Sequence, residues 1–176
     1  MYLKTIEAIN SKQQSRLTRI KLNGSRLKYD NGPKTKCAGL YWIYAKYSDD
    51  DFLKSTPCSK KGSVNFASLV NQHKNLYNIC KVIEDDFRLV YNGIGGPGSR
   101  GYGGLRERIL EEFRGGEGTG SLAIKDSSLN DLSNWRVSYV LWSEIPFPST
   151  HAYREFSKTF EHLWRIHYGW PILCAK

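Results

Sequence analysis

Apolar and polar residues alternate along Arg16-Leu-Thr-Arg-Ile-Lys-Leu22, the period-two signature of a strand with one basic face. Asn31-Gly32-Pro33 marks a turn after it. Residues 38–45 (Ala-Gly-Leu-Tyr-Trp-Ile-Tyr-Ala) are rich in aromatic and branched side chains and read as a buried strand. The polar stretch 48–63, with three consecutive aspartates, Pro57 and Lys60-Lys61-Gly62, reads as a loop. Over 65–82 apolar positions recur with helical spacing at Phe66, Leu69, Val70, Leu76, Tyr77 and Cys80. A second strand, 87–91, runs into 93–104, where seven of twelve residues are glycine. A helix is predicted over 105–114, apolar at Leu105, Ile109 and Phe113 and stopped by Gly115-Gly116. A small element starts near 118–124, a third strand covers 135–142, and Thr150 is placed to cap a last helix reaching about His167. The alternation predicts one domain of the mixed α/β class.

The chain has 176 residues and a mass of 20.2 kDa, the size of one domain, and its 40% hydrophobic content is enough to bury a core. No apolar run approaches 18 residues, so no membrane partner is expected, and the N-terminus lacks the apolar stretch of a secretory signal. Cys37, Cys58, Cys80 and Cys174 form no C-x-x-C pair, which fits a reducing, cytoplasmic setting better than a zinc ribbon or a disulfide framework. The net charge is +9, and residues 1–36 alone carry nine Lys and Arg against Glu7 and Asp30. A basic N-terminal arm of this kind suits a polyanion, and Arg16, Arg19, Lys21 and Arg26 are its candidate DNA contacts. A solvated, solubilising segment is the alternative.

Gly93-Ile-Gly95-Gly-Pro-Gly98 matches the dinucleotide fingerprint G-x-G-x-x-G literally. Pro97 interrupts the turn where an N–H would face pyrophosphate, the loop continues six residues before the helix, and no second strand ends in a suitably spaced acid. No dinucleotide is expected.

Gly39-Leu40-Tyr41 and Tyr91-Asn92-Gly93 resemble the two half-motifs of the GIY-YIG nuclease superfamily. Arg108 stands where such proteins carry their helix arginine, residues 137–146 resemble the third strand and its exit, and Glu161 resembles the metal-binding glutamate of the closing helix. The resemblance covers about residues 37–176. It implies a small, mostly antiparallel three-stranded sheet flanked by helices, with an insertion at about 48–86 between the half-motifs. It also implies hydrolysis of DNA phosphodiesters with Mg²⁺ or Mn²⁺ held by Glu161. Tyr41 inherits the role of base or water-positioner, Tyr91 helps orient water or phosphate, and Arg108 binds the phosphate. A tyrosine near its ordinary pKa of 10 is a poor base, so Arg108 is expected to lower it. One turn after Arg108, where the family commonly has His or Tyr, stands Glu112. This second carboxylate joins the metal shell, pairs with Arg108 or marks weakened chemistry.

A stand-alone domain with a basic arm resembles the restriction-endonuclease branch of that superfamily. Lys60, Lys61, Arg100 and Tyr102 are then candidate groove contacts, and a palindromic target would require a homodimer. The rival reading is a catalytically silent nucleic-acid-binding module of the same fold. An RNA-directed protein is also compatible with the charge and the aromatic content.

Overall fold

The computed structural model describes residues 2–99, 102–115, 120–145 and 153–175. Its first element is a helix, α1 (Tyr2–Gln14), where the sequence pattern suggested only a basic arm. Ile6, Ile9, Asn10 and Gln13 are its buried stripe, at the spacing of one helical face. Two of the four are polar, so hydrophobic periodicity does not reveal it. Their polarity is satisfied internally: Gln13 donates to Asn10 at 3.1 Å, Tyr44 donates to Gln13 at 2.5 Å and Trp164 donates to Asn10 at 3.2 Å. Ile9→Ala is expected to lower unfolding free energy by about 2 to 3 kcal/mol in urea titrations. A detachable arm would give no change.

The basic strand and its return form a separate antiparallel hairpin, β1 (Ile20–Asn23) and β2 (Arg26–Tyr29), turning through Gly24 at φ +61°. Thr18 ties the hairpin's base to Val137 by paired backbone hydrogen bonds of 2.8 and 3.0 Å. β3 (Gly39–Ala45) follows, buried at all seven positions because it lies in the interior of the sheet.

The segment expected as a loop and insertion contributes to the core. It holds α2 (Asp49–Leu53), capped by Ser48, and α3 (Phe66–His73), capped by Asn65. The helix expected over 65–82 ends at His73; beyond it Leu76 and Tyr77 face water, Tyr77 completely, while Cys80 is buried. β4 (Ile83–Glu84) and β5 (Phe87–Gly95) come next. In the glycine-rich stretch β6 (Pro97–Ser99) pairs antiparallel with β7 (Tyr102–Gly104), which leads into α4 (Leu105–Arg114). The small element expected near 118–124 is a 3₁₀ turn, Ile124–Asp126. β8 (Trp135–Leu141) and α5 (Tyr153–Tyr168) close the chain, and Thr150 lies outside the described residues.

The fold is therefore mixed α+β. The sheet has four strands rather than three, in the order β4-β5-β3-β8, all antiparallel. Alternation along β3 divides the core in two. Tyr41, Ile43 and Ala45 pack with Ile109 and Phe113 of α4 and with Phe52, Phe66 and Trp135. Leu40, Trp42 and Tyr44 pack with Ile6 and Ile9 of α1 and with Phe160 and Trp164 of α5. The two helical layers thus cover opposite faces of the sheet. Among the described residues no helix is long and apolar enough to cross a membrane.

Candidate active site

β3 and β5 bring the two half-motifs side by side, with Tyr41 opposite Gly93 and Ile43 opposite Tyr91. A bulge in this pairing between Ile43 and Tyr44 leaves Val90 and Tyr91 on the same face, the one that α4 covers. The Tyr41 and Tyr91 rings come within 6.2 Å of each other. Gly93 makes room for this. A Cβ there would stand 2.5 Å from the Tyr41 hydroxyl oxygen, so the phenol lies directly on the β5 backbone. Gly95 does the same for α4, whose Leu105 Cα would be 2.4 Å from an added Cβ. The literal G-x-G-x-x-G therefore serves close packing of a ring and a helix on a strand, and the strand β7 rather than a helix follows it.

α4 brings two charged side chains to these phenols. Glu112, which is 0% exposed, accepts the Tyr41 hydroxyl proton at Oε1 (2.7 Å) and the Leu122 N–H at Oε2 (2.9 Å). The nearby Tyr91 hydroxyl also favours the ionised carboxylate. Arg108 reaches Glu112 Oε1 at 3.0 Å with one guanidinium nitrogen and Glu111 Oε2 at 2.9 Å with the other. Its side chain keeps 28% exposure, whereas Tyr41 is 0% exposed.

The electrostatics differ from the sequence expectation. Burial pushes the Tyr41 hydroxyl well above its usual value, the neighbouring Glu112 pushes it further, and Arg108 only partly opposes them. Tyr91 is raised in the same way, by burial and then Glu112. Tyr41 is therefore not an activated phenolate. Burial also raises the Glu112 carboxyl, against Arg108 and its hydrogen-bond donors. Burial alone would lower Arg108, but Tyr41, Glu112 and Glu111 outweigh it and hold the guanidinium protonated. The two ends of the ion pair pull in opposite directions. Because a guanidinium, two phenols and a backbone N–H all converge on Glu112, the geometry favours a charged pair at neutral pH.

Tyr41, Tyr91, Arg108 and Glu112 thus meet, and Glu161 does not join them. It sits on α5, across the sheet, 9% exposed, with Oε1 2.8 Å from Arg165. Arg165 also donates to Asn92 Oδ1 at 2.8 Å and lies 4.7 Å over the Trp170 ring. The i,i+4 spacing of Glu161 and Arg165 was the signal for this pairing in the sequence. A carboxylate already neutralised by a buried guanidinium, with no second acid beside it among the described residues, does not suit Mg²⁺ or Mn²⁺. Among the described residues no group of three or more His, Cys, Asp or Glu is placed to hold a metal.

The candidate DNA contacts divide similarly. Arg16 is bound to Glu144 in a two-pronged pair at 2.5 and 2.7 Å and lies over Tyr139. Lys60 caps α4 through the Arg114 carbonyl (2.6 Å) and pairs with Asp126 (2.5 Å). Both are structural. Lys21 pairs with Asp30 at the surface, while Arg19, Arg26 and Lys61 are exposed. Arg100 and the Tyr102 side chain lie outside the described residues. Sequence reasoning missed Glu111, the second clamp on Arg108, and the Leu122 N–H, which carries no sequence signature.

No protein-family model matches the chain, and no curated protein or solved structure matches it.

Proposed function

We propose that this protein is a nuclease that hydrolyses DNA phosphodiesters at the junction of β3, β5 and α4. The observation that carries the reading is the convergence of Tyr41, Tyr91, Arg108 and Glu112, drawn from three elements, on one hydrogen-bonded cluster. Arg108 is its partly exposed charge. It has donors left beyond those used by Glu111 and Glu112, and a phosphate approaching from solvent meets it first. Glu112, rather than Tyr41, is the proton acceptor. The water oxygen bonds to phosphorus as its proton passes by way of the Tyr91 and Tyr41 hydroxyls to Glu112, the P–O bond to the leaving oxygen breaks, and that oxygen is protonated by solvent. Tyr41 holds the carboxylate in place. Cation dependence, site-specific restriction-like cutting and a dimer on palindromic targets belong to the same proposal.

A second reading has its own support. Tyr41 and Glu112 are sealed from solvent and Arg108 is neutralised by two glutamates, which suits a nucleic-acid-binding module without catalysis. The experiment that separates them incubates the protein with supercoiled plasmid and several long DNAs, with Mg²⁺, with Mn²⁺ and with EDTA, beside Arg108→Ala. Discrete fragments, reduced about 10³-fold in rate in the variant, support the nuclease. Fragments unaffected by EDTA remove the cation from the proposal. DNA retention without cleavage, on every substrate and in every cation, replaces it with the binding module.

A further inference from the structure

A groove of about 370 Å³ lies between the β1–β2 hairpin and α4, lined by Ser25, Arg26, Leu27, Leu110, Arg114 and Lys125. Arg26, Arg114 and Lys125 are exposed, and among the described residues none of the three has an ion-pair partner. Among the described residues no carboxylate lines the groove. A larger one of about 560 Å³ on the hairpin's other side differs in this respect, because Asp30 and Asp131 share its wall with Arg19, Lys21 and Arg136. Three convergent cations over a floor of two half-buried leucines suit a chain of anions with an apolar spacer between them, as phosphates alternate with sugars in a nucleic acid.

The groove also has a defined relation to Arg108. Leu110 and Arg114 are one turn apart, as are Arg108 and Glu112, and the two pairs are offset by two residues. At about 100° per residue that offset puts them on opposite flanks of α4. The hairpin is pinned to its own flank, since Tyr29 donates to the Arg106 carbonyl at 2.7 Å and the Arg106 guanidinium lies 5.1 Å over the Tyr29 ring. We infer that this groove grips the phosphodiester backbone of a nucleic acid, on the far side of α4 from the phosphate at Arg108. The helix is about 10 Å across, a span of roughly three nucleotides at 3.4 Å rise. The placement relative to Arg108 rests on the nuclease reading, and the groove's own affinity for the backbone does not.

The test is fluorescence anisotropy in EDTA, with a labelled 20-base-pair DNA duplex, a 20-nucleotide single-stranded DNA and a 20-base-pair RNA duplex, from about 50 to 300 mM NaCl. The probe showing the steepest salt dependence identifies the polymer. For it, Arg114→Gln with Lys125→Gln should weaken binding about tenfold or more at low salt. The same double variant should reduce the slope of log K against log salt by about 2, because each lost phosphate contact is worth about 0.9. Lys158→Gln, at an exposed position of α5 across the sheet, should leave the slope unchanged and control for the loss of one charge. An unchanged slope in the double variant, an equal loss in Lys158→Gln, or no binding to any probe overturns the inference. If the wild type cuts plasmid while the slope is insensitive, the groove fails and the nuclease stands. If the slope drops in a protein that never cuts, the nuclease fails and the groove stands.

Discussion

Glu112→Gln is expected to leave the protein folded and to slow DNA cleavage by about 10²- to 10⁴-fold, the usual contribution of a positioned proton acceptor. The amide oxygen can take the Oε2 position and keep the Leu122 N–H, while the Tyr41 hydroxyl turns to accept from the amide NH₂ at the Oε1 position, so the side chain stays anchored. The amide NH₂, however, would face the Arg108 guanidinium and cannot take a proton. Single-turnover cleavage with excess enzyme reads the effect, and circular dichroism checks the fold. Wild-type cleavage by the variant would remove Glu112 from the reaction. The same substitution has a signature in stability. Burial raises the Glu112 carboxyl above its ordinary 4.5, so the folded protein holds that proton more tightly than the unfolded chain does. Stability from this group is fully present below the unfolded pKa and is lost as pH rises through the folded value. The amide does not titrate. The difference in unfolding free energy, wild type minus variant, should therefore fall as pH is raised from about 4 towards 7. A difference that grows instead would mean that Arg108 and the other donors outweigh burial.

What the sequence disclosed of this site was the set of residues rather than their arrangement. The resemblance of Gly39-Leu40-Tyr41 and Tyr91-Asn92-Gly93 to two half-motifs, with an arginine in the helix pattern after the second, singled out Tyr41, Tyr91 and Arg108. The pairing that joins the strands is non-local, since Tyr41 and Gly93 are separated by 51 further residues. Burial, which reverses the expected direction of the Tyr41 pKa, is a property of the packed sheet and not of any local pattern. Glu161 shows the converse limit. A lone carboxylate on an apolar helix wants a partner or a metal. The partner was in view at i+4, yet its depth is set by Asn92, Trp170 and Cys174, which come from β5 and the C-terminal segment. α1 escaped notice because half its buried stripe is amide side chains, and the basic residues around it drew attention to charge.

Trp135→Ala is expected to remove about 3 to 5 kcal/mol of stability and to lower Tm by roughly 10 °C or more. The indole is fully buried and meets Tyr47, Phe52, Phe66 and Phe113 at centroid distances of 5.6 to 6.5 Å. Its N–H donates to the Leu129 carbonyl at 2.8 Å, so the truncation also leaves that acceptor unpaired. Phe52 and Phe66 belong to α2 and α3, inside the segment that the spacing of the half-motifs marks as an insertion. Phe113 follows Glu112 directly on α4. A single side chain on β8 therefore clamps both the inserted helices and the helix that carries Arg108. Thermal unfolding of Trp135→Ala, beside Trp135→Phe, measures that clamp, with the phenylalanine variant expected to lose less because it refills most of the cavity. Deletion of the inserted helices should destabilise the protein comparably, since it uncovers the same indole. If that deletion left Tm unchanged, the segment would be an appendage and α4 would owe its position to the sheet alone.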